Sequence, residues 1–276
     1  PSLPLILYAI IAQQLPQGSG VTIEGIFKAG LLPVLLMIVL LSLYSMWITR
    51  KNPVPLQAFS KTELKLAIKE AKWEVPLPFF VLGGIYGGFF AVSEAAAVTA
   101  LYVTVVTVFI HREISFKQLF VIMRESMVMV GAILLILGVA MAFTNWLIDA
   151  EIPTRLFEFV KQHVDSKWTF LLLLNIFLLV LGCFLDIFSA LVIMVPLLLP
   201  IAAGYGINPI HLGIIFLANM ELGYCTPPVG MNLMIASYRF KKPITELYQT
   251  TIPFLLVLMV AVLIITYVPW LSLALL

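Results

Sequence analysis

The sequence predicts an all-α polytopic membrane protein, and three observations lead to this prediction. Of the 276 residues, 62% are hydrophobic and only 11% are charged, whereas a soluble domain carries roughly 25% charged residues. The charges are also clustered, which leaves long uncharged runs, several of them near the roughly 20 residues that span a hydrocarbon core. These runs are residues 29–49, 75–93, 95–110, 126–148, 168–185, 187–210, 222–238 and 247–276. A soluble core accounts for one or two such runs but not for eight in succession.

The basic residues orient the predicted helices, because Lys and Arg concentrate in cytoplasmic loops close to membrane spans. Twelve of the sixteen basic residues lie in residues 50–72, 111–125 and 237–247. Placing these loops inside gives one path: 24–49 inward, 75–92 outward, 93–110 inward, 127–148 outward, 209–236 inward and 248–274 outward. Residues 149–167, where acidic and basic side chains mix, are then external. The net charge of +2 is too small and too scattered to indicate a nucleic-acid partner.

This path requires residues 168–203 to enter the membrane and return to the same side. The two arms, 168–182 and 189–203, have about 15 residues each, which corresponds to about 22 Å of helix. Because this length is short for a full span, we expect a re-entrant hairpin whose tip lies near the bilayer middle. Irregular backbone at that depth needs protein or water around it.

Two connecting segments carry capping-box patterns, at Ser60–Glu63 and Ser115–Gln118. Both begin amphipathic stretches within the basic loops. We expect these stretches to form helices that lie along the membrane surface or connect the spans through solvent, and the sequence leaves both options open.

A proline pair interrupts the apolar run near residue 227. Proline lacks an N–H group and clashes with the preceding helical turn, and here Pro227 and Pro228 are flanked by Thr226 and Gly230. We therefore predict that the helix is broken and that its unwound segment exposes backbone carbonyls.

Asp186 is a second anomaly, because an ionisable side chain in the membrane normally has a partner or a role. It is a candidate N-cap for the following helix, through backbone N–H groups near Ser189, and equally a candidate ion ligand, and the two roles can coexist. For Asn219 and Glu221, on the broken helix, we favour hydrogen bonds to a neighbouring helix.

A weak internal repeat accompanies these features. A short apolar segment, a polar loop and a long helix containing Pro33 follow the amino terminus, and the same order follows Gly230, with Pro253 in the long helix. By the charge path, residues 6–12 run outward and residues 232–237 run inward. Inverted repeats with broken helices at a central site are typical of secondary transporters.

These residues resemble a known family, the large membrane (M) subunit of TRAP (tripartite ATP-independent periplasmic) transporters. The resemblance extends over essentially the whole chain, as its carboxy-terminal part. It rests on Gly182-Cys183-Phe184-Leu185-Asp186, on Gly206-Ile207-Asn208-Pro209, on Thr226-Pro227-Pro228-Val229-Gly230, on Ser93-Glu94-Ala95-Ala96-Ala97 and on the Pro1-Ser2 start. It implies that a further inner hairpin precedes residue 1.

The resemblance implies sodium-coupled import of a small organic acid by an elevator movement of hairpins and broken helices. It implies four partners: a small membrane (Q) subunit, a periplasmic substrate-binding protein, the small organic acid substrate and the lipid bilayer. It also implies Na+ as the coupling ion and no organic cofactor. It also implies a bacterial or archaeal cytoplasmic (inner) membrane location.

The residues add a chemical rationale, because sodium is a hard cation that prefers oxygen ligands. Side-chain candidates are Asp186, Ser189 and Thr226, and carbonyl candidates are Gly182, Gly223 and Pro227. Since no Lys or Arg lies in residues 168–238, an anionic substrate would be held by helix N-termini and neighbouring groups. The substrate candidates are Asn232, Pro228, Gly230 and Ser2.

These interpretations divide the chain into five segments. They are the end of a first-repeat broken helix with an external loop (1–23), a transmembrane helix with a cytoplasmic amphipathic arm (24–74), scaffold helices with surface connections (75–167), the transport core (168–240) and a carboxy-terminal transmembrane helix (241–276). Two alternatives remain: a sodium-coupled anion symporter of similar hairpin architecture that works without a binding protein, and a non-transporting structural subunit. An intramembrane enzyme is disfavoured, because Asp186 has no second aspartate in a comparable motif.

Overall fold

The structure, a computed structural model, describes residues 2–51, 59–227 and 230–276, and every regular element within them is helical. The chain divides into two compact units, one formed by residues 1–52 and 136–276 and the other by residues 53–135. The helices are α1 Leu3–Gln13, α2 Ile23–Lys51, α3 Lys61–Glu70, α4 Pro76–Tyr86, α5 Val92–Thr104, α6 Phe116–Asp149, α7 Ile152–His163, α8 Lys167–Phe184, α9 Ile187–Gly204, α10 Pro209–Gly223, α11 Met231–Phe240, α12 Ile244–Tyr267 and α13 Trp270–Leu273. Helix α5 continues into a π-helical turn, Val105–Ile110.

Among the described residues, five helical segments are long and apolar enough to cross a membrane. They are Ile23–Arg50, Ser93–Ile110, Lys167–Phe184, Ile187–Gly204 and Ile244–Tyr267. The prediction of an all-α polytopic membrane protein is therefore confirmed. The orientation of each span is not tested by the structure and stays a prediction.

Residues 75–92, which were expected to form one outward span, do not form a single long helix. Helix α4 has 11 residues, about 16 Å at 1.5 Å per residue, which is less than a full span. Its end is set by Gly87 and by Gly88, whose φ of 74° lies in the left-handed region that favours glycine. The predicted run 248–274 is likewise interrupted, because α12 ends at Tyr267 and Pro269 precedes the short α13.

The hairpin arms are longer than the sequence indicated. Helices α8 and α9 each have 18 residues, about 27 Å, and only Leu185 and Asp186 connect them. The estimate was short because α8 begins at Lys167, capped by the Ser166 hydroxyl, and continues past Gly182 to Phe184. The connection is short, as expected, but both arms are long enough to cross a membrane, so re-entry and the depth of the tip stay predictions.

Helix α1 lies at the centre of the first unit. Ser2 caps its first turn and Pro4 occupies a position where no intrahelical N–H bond is needed. Tyr8, Ala9 and Ala12 are completely buried, and α1 packs against the hairpin arm α9. The Tyr8 hydroxyl donates to the Pro209 carbonyl at 2.6 Å, which fixes the start of α10 on α1.

A buried polar cluster joins α8, α10 and α12. The Asn219 amide donates to Asn175 Oδ1 at 2.7 Å, and the Thr266 hydroxyl approaches the same oxygen at 3.0 Å. Asn175 in turn donates to the Leu171 carbonyl at 2.7 Å. Asn219 thus bonds a neighbouring helix, which is the arrangement favoured from the sequence. In an apolar environment such bonds hold three helices in one register.

The predicted helical layout of the internal repeat is also present. A short helix, a loop and a long helix with an internal proline occur as α1 and α2, with Pro33, and again as α11 and α12, with Pro253. The opposite orientation of the two copies stays a prediction.

Both predicted capping boxes lie in the second unit, at the starts of α3 and α6. Ser60 Oγ accepts from the Glu63 N–H at 3.3 Å at the start of α3. At the start of α6, Ser115 Oγ accepts from the Gln118 N–H and Gln118 Oε1 accepts from the Ser115 N–H. The N-caps at both sites are therefore confirmed, although α6 continues well beyond a short surface segment.

Candidate ion and substrate site

Asp186 forms the tip of the hairpin and caps α9. Its Oδ1 accepts hydrogen bonds from the N–H groups of Phe188 and Ser189, each at 3.0 Å. The Ser189 side chain lies beside this carboxylate. The capping role proposed from the sequence is therefore present. The Ser189 oxygen has lone pairs that can coordinate a cation.

The predicted helix break is present and begins one turn before the proline pair. Helix α10 ends at Gly223 and α11 begins at Met231. The Cys225 N–H donates to the Leu222 carbonyl at 3.1 Å and the Thr226 N–H to the Gly223 carbonyl at 2.9 Å, so the last turn tightens before the chain leaves the helix. Pro228, a substrate candidate, lies outside the described residues.

Thr226 lies in this tightened turn. Its hydroxyl donates to the Leu222 carbonyl at 2.8 Å. This proton is directed to a partner within the protein, and the oxygen keeps its lone pairs. Both candidate hydroxyls therefore present the acceptor character that a cation requires.

The hairpin and the break meet through two glycines. A Cβ atom on Gly223 would lie 2.7 Å from the Gly182 Cα, and one on Gly182 would lie 3.1 Å from the Gly223 Cα. Only glycine permits this approach of the two backbones. Just beyond it, the Cys183 thiol approaches the Pro227 carbonyl at 3.7 Å. The end of α8 is thus fixed against the start of the broken segment.

The three carbonyl candidates are not equivalent. The Gly182 carbonyl lies in the last turn of α8, where carbonyls lack intrahelical partners. The Pro227 carbonyl belongs to the broken segment and lies 3.7 Å from the Cys183 sulfur, whose closer acceptor is the Leu179 carbonyl at 3.2 Å. The Gly223 carbonyl already accepts from the Thr226 N–H, so it is the weakest of the three as an ion ligand.

Tyr224 is a polar residue of this junction that the sequence reasoning missed. Its phenol lies near the Ile187 backbone and near the Asp186 and Glu221 carboxylates. It therefore brings the first residue after α10 close to the first residue of α9. No short-range pattern indicates this contact, since residues 187 and 224 are far apart in the chain. Its position directly after Gly223 was the only available signal.

Two substrate candidates lie at the start of α11. Gly230 has a φ of 51° and a Cβ atom there would lie 3.1 Å from the Thr226 carbonyl, so the return of the chain requires glycine. The Asn232 amide approaches the Cys225 sulfur at 3.7 Å, and its backbone N–H donates to the Tyr224 carbonyl at 3.2 Å. Gly230 provides no side-chain cap, which leaves the α11 N-terminus without a neutralising acidic group.

Ser2 lies in a different place from the other substrate candidates. It caps α1 through the Leu5 N–H at 3.4 Å and lines a cavity of about 290 Å³ together with Gly30, Pro33 and Glu221. Most of the remaining lining is aliphatic. Ser2 therefore shares a cavity with Glu221, and its role as a substrate ligand stays a prediction.

The fold and this junction define the class of the protein: a polytopic α-helical membrane protein in which a helix break packs against a helical hairpin. Residues 1–271 match the family described as tripartite ATP-independent periplasmic transporter, DctM component, and the chain belongs to that family. The family resemblance noted in the sequence is thereby confirmed. Because these are transport proteins, the expectation that the chain is not an enzyme is confirmed too.

Three curated relatives illustrate the range of the family. The chain is 35% identical to the C4-dicarboxylate TRAP transporter large permease protein DctM of Rhodobacter capsulatus, over 100% of this chain and 64% of that protein. It is 34% identical to the isethionate TRAP transporter permease protein DctMQ of Oleidesulfovibrio alaskensis, over 98% and 42%. It is 30% identical to the sialic acid TRAP transporter large permease protein SiaM of Vibrio cholerae, over 100% and 63%. The chain thus spans less than two thirds of each of these relatives.

Proposed function

We propose that this chain is the carboxy-terminal part of a large permease subunit that imports a small organic acid, coupled to sodium, across the cytoplasmic membrane of a bacterium or archaeon. The observation that carries the proposal is the junction at Gly182 and Gly223. It brings the Asp186 tip and the unwound Thr226 segment to adjacent ends of two packed helices.

The sodium proposal rests on the donor set at this junction. It offers one carboxylate, two hydroxyl oxygens and the carbonyls of Gly182 and Pro227, which are the hard oxygen ligands that such a cation prefers. The proton of the Thr226 hydroxyl is already directed to the Leu222 carbonyl. A bound cation would also offset part of the unfavourable free energy of a charged Asp186 inside the membrane.

The organic-acid proposal rests on the relatives and on the α11 N-terminus. The relatives named above are called transporters of C4-dicarboxylates, isethionate and sialic acid, all of which are organic acids. Residues 168–238 of this chain contain no Lys or Arg, so an anion near Asn232 would be stabilised by the dipole of α11 and by amide groups. A basic residue from another part of the complete subunit is compatible with this arrangement.

The partner proposal follows from the same relatives. The fused DctMQ relative combines large and small membrane components in one protein, so we propose a small Q subunit beside this chain, and a periplasmic substrate-binding protein that delivers the acid. The elevator movement of hairpin and broken helix belongs to this proposal as well.

Uptake into proteoliposomes tests the proposed function. The complete transporter is reconstituted with and without its binding protein, and a panel of labelled C4-dicarboxylates, isethionate and sialic acid is offered with an inward sodium gradient or with potassium instead. We expect uptake of one acid only when both the sodium gradient and the binding protein are present. Sodium-driven uptake without the binding protein would favour the independent symporter, and no uptake of any acid in verified complexes would favour the structural subunit.

A further inference from the structure

A cavity in the second unit has the composition of a lipid headgroup site. It has a volume of about 380 Å³ and is lined by Leu66, Lys69, Glu70, Lys72, Trp73, Ile110 and His111. Its lining carries two ammonium groups and one carboxylate, together with an imidazole that lies 3.6 Å from the Glu74 carboxylate. We propose that this cavity, which we call the Lys69–Lys72 cavity, binds the phosphate headgroup of an anionic phospholipid.

The depth of the cavity in the membrane is set by its own residues. Ile110 is the last residue of the candidate span Ser93–Ile110, and His111 follows it directly. The chain then turns sharply, because Arg112 has a φ of 54°. The cavity therefore lies where a membrane span gives way to polar chain, which is the level at which phospholipid headgroups are found.

Trp73 fixes the far wall of the cavity to this span. Its backbone carbonyl accepts a hydrogen bond from the Tyr102 hydroxyl at 2.8 Å, and the Lys72 ammonium lies 5.3 Å from the centre of its ring. Tryptophan at a membrane–water interface is a common anchor. The cation–π contact holds the Lys72 charge at the rim while leaving its N–H groups able to bind phosphate oxygens.

The charges around the cavity favour an anion. His111 Nε2 lies 3.6 Å from a Glu74 carboxylate oxygen, so this carboxylate is directed to the imidazole. Glu70 also lines the cavity, but among the described residues no carboxylate lies within 4.0 Å of the Lys69 or Lys72 ammonium. Basic pockets beside membrane spans are known to bind phospholipid headgroups through such groups.

A second cavity next to the first favours a lipid over a free phosphate ion. It has a volume of about 430 Å³ and is lined by Ala67, Ile68, Ala71, Lys72, Val75 and Pro76. Lys72 is the only polar residue of this lining and is shared with the Lys69–Lys72 cavity. An apolar groove beside a basic pocket matches the acyl chain and the headgroup of one phospholipid.

Helix α3 offers a matched control. Lys61 and Lys65 lie on the same exposed helix and carry the same charge, but neither lines the Lys69–Lys72 cavity. Native mass spectrometry of the complete transporter in detergent can therefore compare two double variants. The test variant combines Lys69→Gln and Lys72→Gln, and the control variant combines Lys61→Gln and Lys65→Gln. Phosphatidylglycerol is titrated as the anionic lipid and phosphatidylcholine, with the same acyl chains, as the zwitterionic one.

We expect phosphatidylglycerol to bind the unaltered protein more tightly than phosphatidylcholine. Loss of both cavity lysines should weaken that binding roughly thirtyfold, about fivefold for each charge, and the control pair should change it less than twofold. Lys69→Arg with Lys72→Arg should retain binding, which separates loss of charge from loss of folding. Quenching of tryptophan fluorescence by brominated phosphatidylglycerol should lose a component in Trp73→Phe.

Four results would overturn the proposal. The first is equal binding of the two lipids by the unaltered protein. The second is an equal loss in the control pair, which would indicate diffuse attraction to the whole helix. The third is full displacement of the lipid by millimolar inorganic phosphate, which would make the cavity a site for a free anion. The fourth is lipid binding only when the small membrane subunit is absent, which would indicate that this subunit occupies the cavity.

Discussion

Replacing Gly223 with alanine tests whether α8 and α10 are in backbone contact at the proposed site. The added Cβ would lie 2.7 Å from the Gly182 Cα, 2.8 Å from the Gly182 carbonyl carbon and 3.1 Å from the Leu179 carbonyl oxygen. Carbon atoms pack at about 3.5–4.0 Å, so the helices must separate by about 1 Å. All three neighbours are backbone atoms, and no side-chain rotation can relieve the overlap.

The expected effect follows from overpacking, which destabilises by about 1–3 kcal/mol. The higher helix propensity of alanine returns up to about 1 kcal/mol, and less at the last residue of a helix. We therefore expect Gly223→Ala to lower the free energy of unfolding by about 1–2 kcal/mol. At roughly 2–4 °C per kcal/mol for a chain of this size, the midpoint of thermal unfolding should fall by several degrees.

Two other glycines calibrate this measurement. Gly182→Ala places its Cβ at 3.1–3.3 Å from its neighbours, a milder overlap, so its midpoint should fall less. Gly30→Ala meets only Ile214 and Leu5 side-chain carbons, at 3.9 and 4.0 Å, and should be neutral or slightly stabilising. Thermal unfolding of the purified transporter in one detergent, followed by intrinsic fluorescence, gives the order. Equal midpoints for Gly223→Ala and Gly30→Ala would refute the close approach.

Two further predictions concern buried and exposed polar groups of the first unit. Thr266→Val removes a buried hydroxyl that lies 2.8 Å from the Val262 carbonyl and 3.0 Å from Asn175 Oδ1, so it should lower the free energy of unfolding by about 1 kcal/mol. Thr250→Val, at an exposed hydroxyl of the same helix, should change it by less than half as much, and equal effects would contradict a role for the cluster. Cys225 is partly exposed beside the break, while Cys183 is buried. In a Cys183→Ser background, a small polar thiol reagent should therefore modify Cys225 in at least one transport state. Complete inertness of Cys225 in both the inward and the outward state would contradict a water-accessible break.

The features predictable from the sequence are those set by neighbouring residues. The caps by Ser60 and Asp186 depend on a side chain and N–H groups two or three residues later, and the break near Pro227 depends on the missing N–H of proline. These were correct because the cause and its effect lie within one helical turn.

Features set by distant parts of the chain were missed or misjudged. No local sequence pattern links Gly182 to Gly223. Both were proposed as carbonyl ligands of the ion rather than as the point where two helices touch. The proximity of Tyr224 to Ile187 and the cavity that Ser2 shares with Glu221 likewise depend on how helices pack. The arms of the hairpin were predicted too short because their apolar stretch was counted without Lys167 and the residues beyond Gly182, which continue the helices.

The central claim, that the hairpin tip and the broken helix share a sodium ion, is tested most directly by the sodium dependence of uptake in the complete transporter. Asp186→Asn keeps an oxygen for the N–H groups of Phe188 and Ser189, and Asn is as good a cap as Asp, so the hairpin should remain folded. Thr226→Val removes the hydroxyl oxygen with little change in shape. Glu221→Gln alters a carboxylate that lines the cavity beside Ser2 and serves as the control.

We predict that Asp186→Asn and Thr226→Val each raise the sodium concentration for half-maximal uptake roughly tenfold or more, about 1.4 kcal/mol, and that Glu221→Gln changes it weakly. Initial rates of labelled substrate uptake, measured over a range of sodium concentrations at equal protein levels, give this value for all three variants. An unchanged sodium dependence in both Asp186→Asn and Thr226→Val would contradict the account and remove these residues from the ion site.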